Sequence, residues 1–332
     1  MPRRDEGADR PTADDTRPSA KGLRHDFDAR ARAARTDFEA QIRQRRASFD
    51  ARNEALTART GRNLPAAIAI ALAFAVVMLG SLLIWEPAFM VVAAFLIGFG
   101  VWELASAMRF AGRDVPRIPS VATAIAMVPA AFLGGQVEAL FTILGGIVLI
   151  TLWRLVEVAF ARQKPSAGNV FRDLTNGLFV QAYVTLLGAC VVLLSALQDG
   201  ALWVVGFILV VVAVDTGAYA TGLNFGKHPM APRISPKKTW EGLAGSVAAS
   251  IIVGILVAWL MLGLPWWTGI VLGVLISGSA TLGDLTESMI KRDLGIKDIS
   301  SFLPGHGGLL DRIDSILPSA AVAYLLYLVV NH

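Results

Sequence analysis

The chain is poor in the residues that staple a fold or hold zinc. Its 332 residues include one cysteine, Cys190, so no internal disulfide closes and no C-x2-C pair exists. That thiol lies in an apolar run and reads as a buried structural group. There is no G-x4-G-K-[ST] loop, no strand-borne G-x-G-x-x-G unit and no H-E-x-x-H, which excludes the common nucleotide cradles and metalloprotease chemistry. No cleavable signal peptide is expected, because residues 1–63 are polar and the first apolar run is long enough to span a bilayer. Excess charge is also scarce. The net charge is +4; residues 1–63 hold 15 Arg+Lys against 11 Asp+Glu, and the remainder balances at 15 to 15. The excess belongs to the tail, and the chain does not read as a nucleic-acid binder.

What is abundant is apolar sequence, at 55% of residues, the composition of a multi-pass membrane protein. A spanning helix needs roughly 20 mostly apolar residues. Nine segments qualify: about 64–84, 87–106, 118–135, 138–156, 175–196, 201–222, 242–263, 266–286 and 315–331. Pro129 and Arg154 make the third and fourth the least regular. The expected fold class is therefore an all-α polytopic membrane protein. Basic residues fill the tail and every even loop: Arg109, Arg113 and Arg117; Arg162, Lys164 and Arg172; Lys227, Arg233, Lys237 and Lys238; and the segment before the last span. The odd loops, near Glu86, Gln136, Asp199 and Pro265, have no Lys or Arg. By the positive-inside rule this alternation predicts a cytoplasmic N terminus and cytoplasmic even loops.

Three regions follow: an N-terminal extension at 1–63, N-terminal transmembrane helices at 64–200, and C-terminal transmembrane helices at 201–332, where the candidate catalytic residues fall, with cytoplasmic loops 223–241 and 287–314. In the extension, residues 1–22 are rich in Pro, Asp and Arg and read as disordered. Residues 24–60 favour helix, with a thin stripe of Phe38, Ile42, Phe49 and Leu56. The stripe suits a helix lying on anionic lipid or pairing with a second copy, and equally a solvated extension.

Chemistry gathers near the C-terminal end. Asp284, Glu287, Ser288 and Lys291 share one helical face at the end of the eighth span, and Asp311 and Asp314 stand three apart entering the ninth. Two helix ends can thus aim oxygen ligands at one point, which suits Mg²⁺ with its preference for a few carboxylates, water and phosphate. Acidic residues at helix ends also simply face water. Ser235-Pro236-Lys237-Lys238-Thr239 leads into the seventh span. Here Ser235 is expected as N-cap and Pro236 as the first helical residue, so that free N–H groups and lysines favour an anion. Asp215 lies deep in the sixth span, about 20 Å from its start, with Tyr219 four residues later on the same face. A carboxylate at that depth marks a functional position or a structural hydrogen bond between helices. Glu103 in the second span is similar but isolated, and no role is assigned to it. Gly273, Ser277, Gly278, Ser279, Ala280 and Gly283 line the eighth span with small residues that permit close packing.

The run Ser288 to Asp314 reads S-M-I-K-R-D-L-G-I-K-D-I-S-S-F-L-P-G-H-G-G-L-L-D-R-I-D. It resembles the signature of the phosphatidate cytidylyltransferases, also called CDP-diacylglycerol synthases, at every specified position: Ser288, Lys291-Arg292, Lys297-Asp298, His306-Gly307-Gly308, Asp311-Arg312 and Asp314. S-P-K-K-T-x-E-G, with Trp240 in the free place, and D-x-x-A-Y-x-x-G-x-x-F-G from Asp215 are similar to two further elements of that family. The motif resemblance covers about 215–314. It implies transfer of CMP from CTP to phosphatidate, giving CDP-diacylglycerol and pyrophosphate, with Mg²⁺ (and room for a second cation), at a cytoplasmic site in the plasma membrane, by a homodimer among membrane lipids.

The expected site has Asp284, Asp311 and Lys291 as catalytic groups and Asp284, Asp311 and Asp314 as metal ligands. Substrate contacts are expected from Asp215, Tyr219, Ser235, Lys237, Lys238, Thr239, Arg292, Lys297, Asp298, His306, Gly307, Gly308 and Arg312. A CTP-dependent polyprenol or phytol kinase is the nearer alternative. A transporter is the other; it would place its polar groups near the midplane of repeated halves. The charged groups here cluster at one face, without a repeat.

Overall fold

A computed structural model describes residues 76–300 and 308–331, within one compact unit, Ala67–His332. The extension, its proposed stripe and most of the first expected span lie outside the described residues, as do His306 and Gly307. In lipid every backbone N–H and C=O must be satisfied within the protein, and long apolar runs meet that demand as helices. Nine are described: α1 (76–84), α2 (Glu86–Phe110), α3 (Arg117–Gly134), α4 (Gln136–Ala159), α5 (Ala167–Ser195), α6 (Gly200–Phe225), α7 (Trp240–Met261), α8 (Trp266–Asp293) and α9 (Leu310–Val330). The eight from α2 to α9 are long and apolar enough to cross a membrane. The protein is a polytopic, essentially all-helical membrane protein.

Several helix ends differ from the expected bounds for local reasons. Pro129 does not end α3; a π-helical turn, Ala130–Gly134, follows it directly and carries the helix on to Gly134. α5 begins at Ala167 rather than about 175, because Ser166 caps it through Asn169 N at 3.2 Å. Polar residues in its first turns are held by an ion pair: Asp173 meets Arg154 of α4 at 2.6 Å, with both side chains buried. Arg154 also reaches Asp114 and Glu157, each at 3.1 Å. A lone arginine would be costly inside a membrane segment, and here it is paired three times. α8 runs seven residues past its expected end, so that Glu287 and Lys291 stay in helical phase with Asp284.

The entry to α7 corrects a sequence expectation. Ser235 is not an N-cap, and Pro236 is not in a helix. Ser235–Thr239 forms strand β2, paired antiparallel with β1 (Pro229–Ala231). Partners across the hairpin draw these residues into extended backbone, where proline is tolerated in a short edge strand. The helix starts four residues later. Thr239 is its N-cap, with its hydroxyl accepting from Gly242 N at 3.1 Å. Glu241 holds the base of the hairpin: its carboxylate accepts from Lys227 N and His228 N, both at 3.2 Å, and pairs with the His228 ring at 2.5 Å.

Helix packing uses small and polar contacts, as expected where lipid removes the hydrophobic drive for helices to associate. α7 and α8 meet through Ser246 and Ser277, and α8 and α9 through Ser279 and Ser319, each pair at 3.1 Å. Gly273 lies against Ser250 and Ile251, whereas Gly278 faces open space and takes no part in the stripe's packing. α2, α5 and α9 meet around Gly100, whose nearest neighbours are Val184, Leu310 and Ile313. The core centres there, with Val101, Leu104, Val184 and Leu310 fully buried. α4 keeps Leu140, Phe141, Val148 and Leu152 on the outer face, in the place of lipid-facing residues.

Candidate active site

The last turns of α8 form the spine of the site. Asp284, Glu287, Ser288 and Lys291 project from one face, as positions 0, 3, 4 and 7 of a helix must. Lys291 Nζ bridges two elements: it lies 2.7 Å from Glu287 Oε2 and 3.2 Å from Asp311 Oδ1 at the start of α9. The other Asp311 oxygen accepts from Gly308 N at 2.9 Å. Two turns back along α8, Asp284 Oδ2 pairs with Lys238 Nζ of β2 at 2.7 Å, and Ser288 Oγ stands 3.5 Å from Asp284 Oδ1. The hairpin, α8 and α9 therefore meet through lysine–carboxylate pairs.

Two further carboxyl groups, Asp314 and Asp215, join this region. Glu287 is 2% exposed and contacts the carboxyls of both Asp311 and Asp314. Asp314 is buried in the turn between the first residues of α9 and the rest of that helix, with Oδ1 accepting from Ser315 N at 2.7 Å. Its backbone is close to α8 because Gly283 has no side chain; a Cβ there would sit 2.3 Å from the Asp314 carbonyl oxygen. Asp215 of α6 lies within electrostatic reach of Asp284 and Lys238. Lys238 thus pairs with Asp284 and Lys291 with Asp311, and Asp215 and Asp314 lie within electrostatic reach of Asp284. The three expected metal ligands, Asp284, Asp311 and Asp314, do not meet as one metal-holding group, because the two lysines hold Asp284 and Asp311 in separate pairs.

Other expected residues stand differently. Tyr219 is 72% exposed on α6. Lys237, Arg292, Lys297, Asp298 and Arg312 are exposed, and Arg292 makes a long 3.5 Å contact to the Ile234 carbonyl. Ser235 and Thr239 serve the hairpin and the helix cap. Gly308 donates to Asp311, while His306 and Gly307 lie outside the described residues.

Sequence reasoning passed over three groups. Glu287 was placed on the α8 face but given no role, although its phase with Asp284 was the available signal. Tyr183 sits in the π-helical turn Gln181–Leu186 of α5. It is buried, its hydroxyl has no hydrogen-bond partner among the described residues, and Asp314, Glu287 and Asp284 lie within electrostatic reach of it. Glu103, set aside as isolated, is buried and bonded to the loop before α9.

Among the described residues no three Asp, Glu, His or Cys side chains meet as a metal-holding group. Mg²⁺ asks for less than that, one or two carboxylates with water and phosphate completing its shell. Asp284 and Asp311 supply hard oxygens of this kind, and each already holds a cation, the ammonium of Lys238 or Lys291. The donor chemistry fits the ion.

Fold and site together define a class: a polytopic helical membrane protein with a dense mixed-charge centre where the ends of α8 and α9 meet a short hairpin. The model of a family described as "Cytidylyltransferase family" matches residues 61–330. A phosphatidate cytidylyltransferase of Mycobacterium bovis is 39% identical over 275 residues, covering 81% of this chain and 90% of that protein. One from Mycobacterium leprae is 40% identical over 278 residues, covering 81% and 89%. A phosphatidate cytidylyltransferase of Brucella suis is 44% identical over a shorter 122 residues, 37% of this chain and 45% of that protein. The chain belongs to the cytidylyltransferase family.

Proposed function

We propose that the protein is a phosphatidate cytidylyltransferase, joining CTP and phosphatidate to give CDP-diacylglycerol and pyrophosphate. The observation that carries this reading is the meeting of Lys238–Asp284 and Lys291–Asp311 at the ends of spans, in a chain that belongs to the family. One substrate is dissolved in the bilayer and the other in water, so the reaction requires polar groups at their boundary. Both substrates are polyanions. A phosphate oxygen of phosphatidate forms the new P–O bond to the α-phosphorus of CTP. The α–β anhydride bond breaks, and the electron pair leaves with pyrophosphate. The lipid is itself the nucleophile, so no protein nucleophile is needed.

The protein's part is to hold and neutralise. Lys238 and Lys291 each face a carboxylate that an incoming phosphate can replace, and exposed Lys237, Arg292 and Arg312 add charge. Asp284 and Asp311 hold Mg²⁺ in this reading, with Asp314, more deeply buried, supporting them. When bound, the ion shields the phosphates and stabilises the leaving pyrophosphate. Positioning and electrostatics then supply most of the acceleration. The basic even loops favour a cytoplasmic N terminus and a cytoplasmic site in the plasma membrane. The family resemblance supports a homodimer.

Purified protein given CTP, Mg²⁺ and phosphatidate should release pyrophosphate only when all three are present. Release of CDP with an alcohol acceptor instead would identify a kinase and overturn the reading. Asp311→Asn should lower turnover at least about 100-fold while leaving folded protein in detergent. Retained turnover would remove Asp311 from the reaction.

A further inference from the structure

Glu103 lies in α2, seven residues before the helix ends at Phe110, and is 2% exposed. Its carboxylate serves residues some 200 positions later. Oε1 accepts from Ser300 Oγ and from Leu309 N at 3.0 Å, and Oε2 accepts from Leu310 N at 2.8 Å. The first N–H groups of a helix have no carbonyl partner within it, and Glu103 satisfies two of them at the start of α9. These hydrogen bonds are shielded from water, and each is therefore electrostatically stronger than at a surface.

The neighbouring glycine is shaped to this contact. A Cβ on Gly308 would stand 3.2 Å from each Glu103 oxygen, tighter than side chains normally pack. Gly308 also donates its N–H to Asp311 Oδ2 at 2.9 Å. Residues 308–311 thus form one turn, gripped by Glu103 through Leu309 and Leu310 and closed by Asp311 on Gly308. The other oxygen of Asp311, Oδ1, lies 3.2 Å from Lys291 Nζ.

We propose that Glu103 is a positioning residue for the reaction: by fixing the backbone of Leu309 and Leu310 it sets the angle at which Asp311 is presented to Lys291 and to Mg²⁺. It touches neither substrate. The inference rests on the reading that Asp311 serves the cytidylyl transfer. A glutamate that only stabilised the fold would leave the surviving folded molecules fully competent. One that aims Asp311 changes how they use the metal.

The test compares Glu103→Gln, Glu103→Asp, Asp311→Asn and Arg154→Met, the last lying in a separate ion-pair cluster. Each is assayed for kcat, KM for CTP, the Mg²⁺ concentration giving half-maximal rate, and thermal unfolding in detergent. Glu103→Gln should lower kcat at least about tenfold and raise the half-maximal Mg²⁺ concentration at least about threefold. Glu103→Asp keeps the carboxyl group with a shorter reach and should fall between it and the parent. It carries the comparison if Glu103→Gln does not fold. Arg154→Met should lose stability with an unchanged Mg²⁺ response. A folded Glu103 variant with the parent's kcat and Mg²⁺ response overturns the proposal. So does a kcat loss without a Mg²⁺ shift that Arg154→Met reproduces at equal stability. Inactive Asp311→Asn beside a fully active Glu103→Gln rejects Glu103 alone. Active Asp311→Asn rejects the reading beneath it, and this inference with it.

Discussion

Lys238 and Asp284 show how a single ion pair can matter little to the fold and much to chemistry. Their side chains are 23% and 39% exposed, so the pair contributes less than about 1 kcal/mol to stability. Lys238→Ala should therefore unfold at nearly the parent temperature. It should lower kcat/KM for CTP about tenfold, because the lysine is the hairpin's direct link to the α8 carboxylates. Equal catalytic efficiency in the variant would assign the pair a purely local role. Both residues were legible in the sequence, Lys238 from the S-P-K-K-T motif and Asp284 from its helical phase with Glu287, Ser288 and Lys291. Glu103 was not. Its partners lie 197 to 207 positions away, and no periodicity within one helix reports a hydrogen bond to a backbone N–H on another. Tyr183 escaped for a related reason: a tyrosine in an apolar run looks like core until the helix opposite supplies carboxylates.

At the scale of elements, hydropathy located the spans from α2 to α9 because each is an apolar run of nearly bilayer length. It misjudged where polar residues continue the helix. The start of α5 was missed since Asp173 reads as loop, yet Arg154 makes it a buried partner. Removing one member of such a pair leaves an uncompensated charge, which typically costs about 3 kcal/mol or more. Arg154→Met should accordingly show a clearly lowered unfolding temperature in detergent. Asp173→Asn in the same background should then cost little more, as the two share one interaction. Additive losses would show that the residues act separately. The hairpin was illegible for a different reason. Ser-Pro before a helix is a sound start signal, and only pairing with Pro229–Ala231 turns it into a strand.

For the whole molecule, the alternation of loop charge predicts which side each loop occupies. With Cys190 replaced by alanine, a cysteine at Arg162 should react with an impermeant thiol reagent only when the cytoplasmic face is opened. A cysteine at Asp199 should react from outside. The reverse pattern would invert the assigned orientation, and with it the compartment from which CTP arrives. Every motif that marked the chemistry lies beyond residue 200, which invites division of the chain into a scaffold and a working half. The long-range bonds of α2 and its following loop cut across that line: Glu103 grips Leu309 and Leu310, and Arg113 holds Asp293 at the end of α8. A fragment beginning at Gly200 would inherit the complete set of signature letters while forfeiting the foreign carboxylate that braces the last of them. Severed portions produced side by side must find each other in the bilayer before either is of use.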